Sequence, residues 1–197
     1  MTQKPTYYDK RSEFWRRHFE QAVEYMEFLD KEDQQHADRW RETMSRLPDL
    51  TPEQVERLKG YGRELNVLFY GGIWCGDCVR QGPMLKKIAD AIGPQVGLRF
   101  IDRAASEELQ DELRILGALR VPVVVFLSED FWEVGRFGDR LLNVYRAKAT
   151  REIGRGPNAG VLSTKALAEE MSEWVDVFER TQIMLRLSPP LRHRHGD

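Results

Sequence analysis

"LNVLFYGGIWCGDCVR", residues 65–80, starts with the composition of a strand and ends with the spacing of a helix. Residues 65–70 are mostly branched or aromatic, which suits a buried strand, and the paired glycines Gly71 and Gly72 close the run. From residue 75 to 91 the apolar spacing becomes helical. Both cysteines of the chain, Cys75 and Cys78, lie at this change of period.

The pattern continues downstream. "GLRFID" (97–102) reads as a strand, residues 105–117 as a helix closing at Gly117, and "VPVVVFL" (121–127) as a strongly β-branched strand. "FWEVGRF" (131–137) follows a tight "SED" turn and completes a hairpin. Alternating strands and helices followed by a hairpin predict an α/β fold with a mixed sheet and helices on its faces. Upstream, one amphipathic helix over 12–29 aligns Phe14, Trp15, His18, Phe19, Ala22, Val23, Met26 and Leu29. A second, over roughly 33–46, has the narrower stripe Ala37, Trp40, Met44 and Leu47 before Pro48 stops it. "TPEQVERL" then starts afresh, with Thr51 as N-cap and Gln54 completing a capping box. After Gly138 come a helix with Leu141, Leu142, Tyr145 and Ala149, a loop at 154–160, and a long helix from Ser163 through Leu185. The organisation expected is a helical extension (1–50), a main domain with C-terminal helices (51–187) and a flexible tail (188–197).

Composition narrows the function classes. With 41% hydrophobic and 31% charged residues and a formal charge of −2, the chain presents no field for a polyanion, so nucleic acid is not an expected partner. No run of roughly 18 uncharged apolar residues occurs, and the N-terminus has no apolar core of a signal peptide, so neither membrane association nor export is expected. A cytoplasmic location follows as the expectation. In a reducing compartment a lone close cysteine pair does chemistry or binds metal more often than it staples a fold.

At a strand-to-helix turn, Cys75 is at the helix N-terminus and Cys78 one turn along the same side, which brings their Cα atoms within about 5.5 Å, disulfide range. Unpaired N–H groups and the helix dipole favour an anion at Cys75, lowering its thiol pKa and making it the nucleophile. Cys78, set back in the first turn, is the resolving thiol, and Gly76 keeps the turn small enough for a substrate to approach. Zinc is a rival, but four ligands are usual and the remaining candidates are His18, His36, His193 and His195, two of them in the tail. An inert buried pair is the other rival.

Trp74-Cys75-Gly76-Asp77-Cys78 after a strand, Pro83 five residues beyond the second cysteine, and "RVPVVVFL" at 120–127 together resemble the thioredoxin superfamily. The resemblance covers about 65–137 and implies a thioredoxin-like sheet flanked by helices. It further implies that Pro122 is a cis-proline facing the dithiol, with Val121 offering backbone groups to an extended substrate and Trp74 forming a partly exposed shoulder. Three departures stand out. Asp77 replaces the usual proline, Phe69 replaces the buried aspartate of the preceding strand, and helical sequence fills the place of the first strand.

The expected function is a thiol-disulfide oxidoreductase using Cys75 and Cys78, with Trp74, Gly76, Val121 and Pro122 around the substrate. Asp77 is expected to tune the thiols through a partly exposed charge. No metal or organic cofactor is implied, because the electrons reside in the dithiol. Expected partners are a disulfide-bearing protein or small thiol and an electron donor; the amphipathic helix 12–29 leaves monomer and homodimer both open. The alternative is a redox-inert module of the same fold that binds a partner in the groove beside Pro122.

Overall fold

The computed structural model describes residues 7–31, 33–154 and 163–197. Among these, β1 (Leu65–Gly71) pairs in parallel with β2 (Val96–Asp102) and antiparallel with β3 (Val123–Ser128), and β3 pairs antiparallel with β4 (Glu133–Gly138). The sheet order β2-β1-β3-β4 places β1 centrally, and all seven of its residues are buried. Central placement explains its apolar run, interrupted only by Asn66, whose amide donates to the Ser128 carbonyl at 3.2 Å, since both faces are covered. This is the mixed sheet expected. The loop read at 154–160 lies, beyond Gly154, outside the described residues.

The remaining elements are helices: α1 (Ser12–Gln21), α2 (Tyr25–Asp30), α3 (Gln34–Arg46), α4 (Pro52–Lys59), α5 (Gly76–Ile92), α6 (Glu107–Glu112), α7 (Leu142–Ile153), α8 (Thr164–Leu187) and α9 (Pro189–His195). The Thr51–Gln54 capping box is present at the start of α4. In-register residues share a sheet face, which puts Phe69, Phe100, Val124 and Phe137 together. That face meets Trp40 of α3 and, further along, Trp174 and Phe178 of α8. The opposite face, carrying Arg136, receives Trp15 of α1 beneath the guanidinium.

Four expectations change. The single helix over 12–29 is two helices, because Val23 leaves the helical path and exchanges two 2.8 Å backbone bonds with Phe100 at the open edge of β2. An unpaired sheet edge offers donors and acceptors that a surface helix does not. Restarting at Tyr25 also resets the phase: Tyr25, Phe28 and Leu29 are buried, whereas Met26 is exposed. Second, the segment before residue 50 is no appendage, since Trp15, Phe28, Leu29 and Trp40 belong to one core with β1–β4.

Third, α6 ends at Glu112, well short of residue 117. Leu116 and Gly117 both take positive φ, and the chain reverses through a bridge between Ile115 and Ala118. Fourth, residues 188–197 are not a free tail. They contain α9, which buries Leu191; Asp197 pairs at 2.7 Å with Arg63, and His195 bonds Asp130 at 2.8 Å.

Candidate functional site

β1 ends at Gly71, and the Cys75 N–H bonds the Gly72 carbonyl at 3.0 Å, turning the chain into α5 with Cys75 as its N-cap. Position 71 tolerates no side chain: a Cβ there would lie 2.4 Å from the Phe69 ring and 3.0 Å from Cys78 Sγ. Behind the turn, Trp40 Nε1–H donates to the Ile73 carbonyl at 2.9 Å. α3 comes this close because position 82 is glycine, where a Cβ would lie 2.0 Å from the indole.

The two sulfurs have different environments. Cys75 is half-buried, whereas Cys78 is fully buried and accepts a 3.5 Å bond from the Gly72 N–H. A bond from the Cys78 thiol, helped by the N–H groups of Cys78 and Asp77, draws the Cys75 pKa down to about 6, against burial and the Asp77 charge. Burial first, then the neighbouring Cys75, pushes the Cys78 thiol well above its ordinary value. An accessible thiolate over a protonated, shielded thiol is the asymmetry that attack and resolution require.

The second motif meets the first here. Cys75 Sγ lies 3.7 Å from the Val121 carbonyl oxygen, and the Val121–Pro122 bond is cis. Trp74 is 46% exposed and carries the Arg103 guanidinium over its ring at 4.9 Å. Arg39 donates to the Trp74 carbonyl at 3.4 Å. A cleft of about 450 Å³ opens beside Cys75 and Gly76, walled by Arg39, Thr43, Arg46 and Arg80.

Asp77 departs from its expected surroundings. Its side chain is largely buried and is paired with Arg80 at 3.0 Å and Arg140 at 2.5 Å. Arg80 in turn bonds Glu170 of α8 at 2.7 Å, and Arg140 bonds Asp139 at 2.8 Å. The sequence reading missed Arg80, Asp139, Arg140 and Glu170. A signal existed for Glu170, which sits three residues after Leu167 and four before Trp174, on the apolar stripe of its helix. Asp139 and Arg140 lie in the turn after β4, where no periodicity points anywhere. For zinc, no group of three or more His, Cys, Asp or Glu is arranged to hold a metal among the described residues. His18 bonds the Phe14 carbonyl and Ser106 instead.

Taken with this geometry, the match of residues 20–150 to the family described as Thioredoxin is decisive. The chain belongs to the thioredoxin family. This thioredoxin-family chain resembles the 1.5 Å crystal structure of a Pseudomonas aeruginosa protein of unknown function, PA1234, at 21% identity and a TM-score of 0.57, over 90% of this chain and 95% of that one. It also resembles the crystal structure of an HIV epitope-scaffold at 20% identity and a TM-score of 0.57, over 92% of this chain and 98% of that one. Both likenesses concern the thioredoxin-like fold. No curated protein matches the chain. Among the described residues no helix is long and apolar enough to cross a membrane.

Proposed function

We propose that the protein is a thiol-disulfide oxidoreductase of the cytoplasm, with Cys75 as nucleophile and Cys78 as resolving thiol. The observation that carries this reading is the unequal pair: a half-buried Cys75 drawn down to about 6 at a helix start, over a fully buried Cys78. At neutral pH Cys75 is then largely thiolate. It attacks one sulfur of a substrate disulfide, and the other sulfur leaves with the bonding electrons and takes up a proton. Cys78 gives up its proton and attacks Cys75 Sγ, which releases the second substrate sulfur and leaves a Cys75–Cys78 disulfide. The substrate gains two electrons and the dithiol loses them; a donor thiol must restore it.

The surroundings support a disulfide-bearing protein or small thiol as substrate. Trp74, Gly76 and Val121 border the accessible face of Cys75, and Pro122 fixes the direction of the Val121 carbonyl. A low thiol pKa also makes Cys75 a good leaving group, which favours the dithiol form of the protein, so the same exchange also runs in reverse, the Cys75–Cys78 disulfide taking two electrons from a substrate dithiol.

Insulin reduction with dithiothreitol as donor is the test. The wild-type chain should accelerate it and Cys75→Ser should abolish the acceleration. Cys78→Ser should instead accumulate mixed disulfides with client proteins, resolvable on non-reducing gels. No acceleration by the wild-type chain would sink the reading in favour of a redox-inert module binding beside Pro122, and equal trapping by both variants would remove the two roles.

A further inference from the structure

Asp77 occupies the first turn of α5, between the two cysteines, and its negative charge opposes ionisation of both thiols. A free carboxylate there would work against the thiolate that the helix start favours. It is not free. Arg80 Nη2 donates to Oδ1 at 3.0 Å and Arg140 Nη2 approaches Oδ2 at 2.5 Å, so each oxygen meets its own guanidinium.

Both arginines are fixed from behind. Arg80 is buried, and its Nε donates to the buried Glu170 Oε2 at 2.7 Å. Arg140 Nη1 donates to Oδ2 of the buried Asp139 at 2.8 Å. Asp139 also accepts from Arg120 at 3.2 Å and from the Tyr145 hydroxyl, while Gln81 Nε2 donates to its carbonyl at 2.9 Å. Three carboxylates (Asp77, Asp139, Glu170) thus face three guanidiniums (Arg80, Arg120, Arg140), and the assembly is formally neutral. Charge-assisted bonds of this length in a partly buried setting hold their geometry firmly.

We propose that Arg80 and Arg140 are positioning residues for the dithiol, holding Asp77 in a two-guanidinium clamp so that its charge opposes a thiolate at Cys75 less than a free carboxylate would. Glu170 and Asp139 orient the clamp, and Arg120 joins it to the segment that leads into Val121. The other charges near Cys75 are Arg39, bonded to the Trp74 carbonyl, Arg103 over the Trp74 ring, and the paired Arg46 and Glu42 of α3. None of them belongs to the clamp. The clamp serves turnover only if the dithiol is redox-active, and so rests on the function proposed above, but its readout needs no disulfide substrate.

That readout is the pH profile of iodoacetamide alkylation at Cys75 in the full chain, followed by peptide mass. Arg140→Gln leaves Asp77 with one guanidinium and should move the midpoint up by on the order of half a unit, slowing alkylation at pH 5 roughly threefold. Adding Asp77→Asn in that background removes the exposed charge and should return the midpoint to the wild-type value. Loosened packing would not be cured by altering a second side chain. An unchanged profile in Arg140→Gln, or a shift that Asp77→Asn fails to reverse, overturns the clamp. If Arg140→Gln does not fold, Asp77→Asn alone decides: two guanidiniums without their counter-charge should lower the midpoint, and an unchanged or raised one overturns the proposal. Variants that show these shifts, together with a wild-type chain that reduces no disulfide, support the clamp and remove the oxidoreductase reading.

Discussion

The two walls behind Cys75 are built on different physics. On one side α3 reaches the turn with an indole: Trp40 is fully buried, stacks edge-on to Phe69 at 6.0 Å, and spends its N–H on the Ile73 carbonyl. On the other side α5, α8 and the turn after β4 meet through carboxylates and guanidiniums around Asp77. The apolar wall is a matter of shape and should be indifferent to pH and salt. The charged wall is held by paired groups whose protonation can change. The first secures the turn, and the second is where the chemistry can be adjusted.

The sharpest way to break this contrast is Trp40→Ala, which empties a large core site and leaves the Ile73 carbonyl unpaired. A loss of about 4 kcal/mol in urea unfolding is expected, unchanged between pH 5 and 8. Cys78 should also become open to alkylation in the native chain. A loss that varies with pH would contradict the division between the walls. Next in size is Glu170→Ala, which strips the buried Arg80 of one partner and should cost about 3 kcal/mol by the same measurement.

A smaller, signed effect belongs to the titration of Glu170. Burial raises its carboxyl from 4.5 to about 6, although Arg80 pulls the other way. A raised acid binds its proton more tightly when folded, so its stabilisation is complete below pH 4.5 and lost as pH rises through about 6. In a Cys75→Ser background, which keeps the thiolate out of the window, stability should fall by on the order of 2 kcal/mol across that range. Glu170→Gln should flatten the slope, and an unaltered slope would assign it elsewhere. Acids held below their ordinary value, Asp139 among them, act at lower pH and do not mask it. Smallest of all should be Arg39→Gln: one exposed 3.4 Å bond to a carbonyl is expected to change stability by less than about 0.5 kcal/mol.

The same contrast marks how far the sequence could be read. Residues 65–80 announce their strand and helix because the apolar period changes within them, and the capping box at Thr51 is a local device visible locally. The break at Val23 is not local: its stripe suits one helix or two, and only the free edge of β2 decides between them. The cysteines, Trp74 and Val121 were legible because two short motifs carry them. The environment of Asp77 was not: Arg80 lies one turn along the same helix, but Arg140 is 63 positions away and Glu170, which holds Arg80, is 93 away, on elements whose approach no single-element pattern encodes.

Trp74 also gives the site an optical signature. Of the five tryptophans, Trp15, Trp40, Trp132 and Trp174 are buried, and Trp74 alone is nearly half exposed. Acrylamide in solution will therefore quench chiefly the indole next to the dithiol, leaving a blue-shifted emission from the other four. A molecule seated over Cys75 shields that indole. Occupancy of the cleft can thus be followed by fluorescence in the native chain, with no label attached.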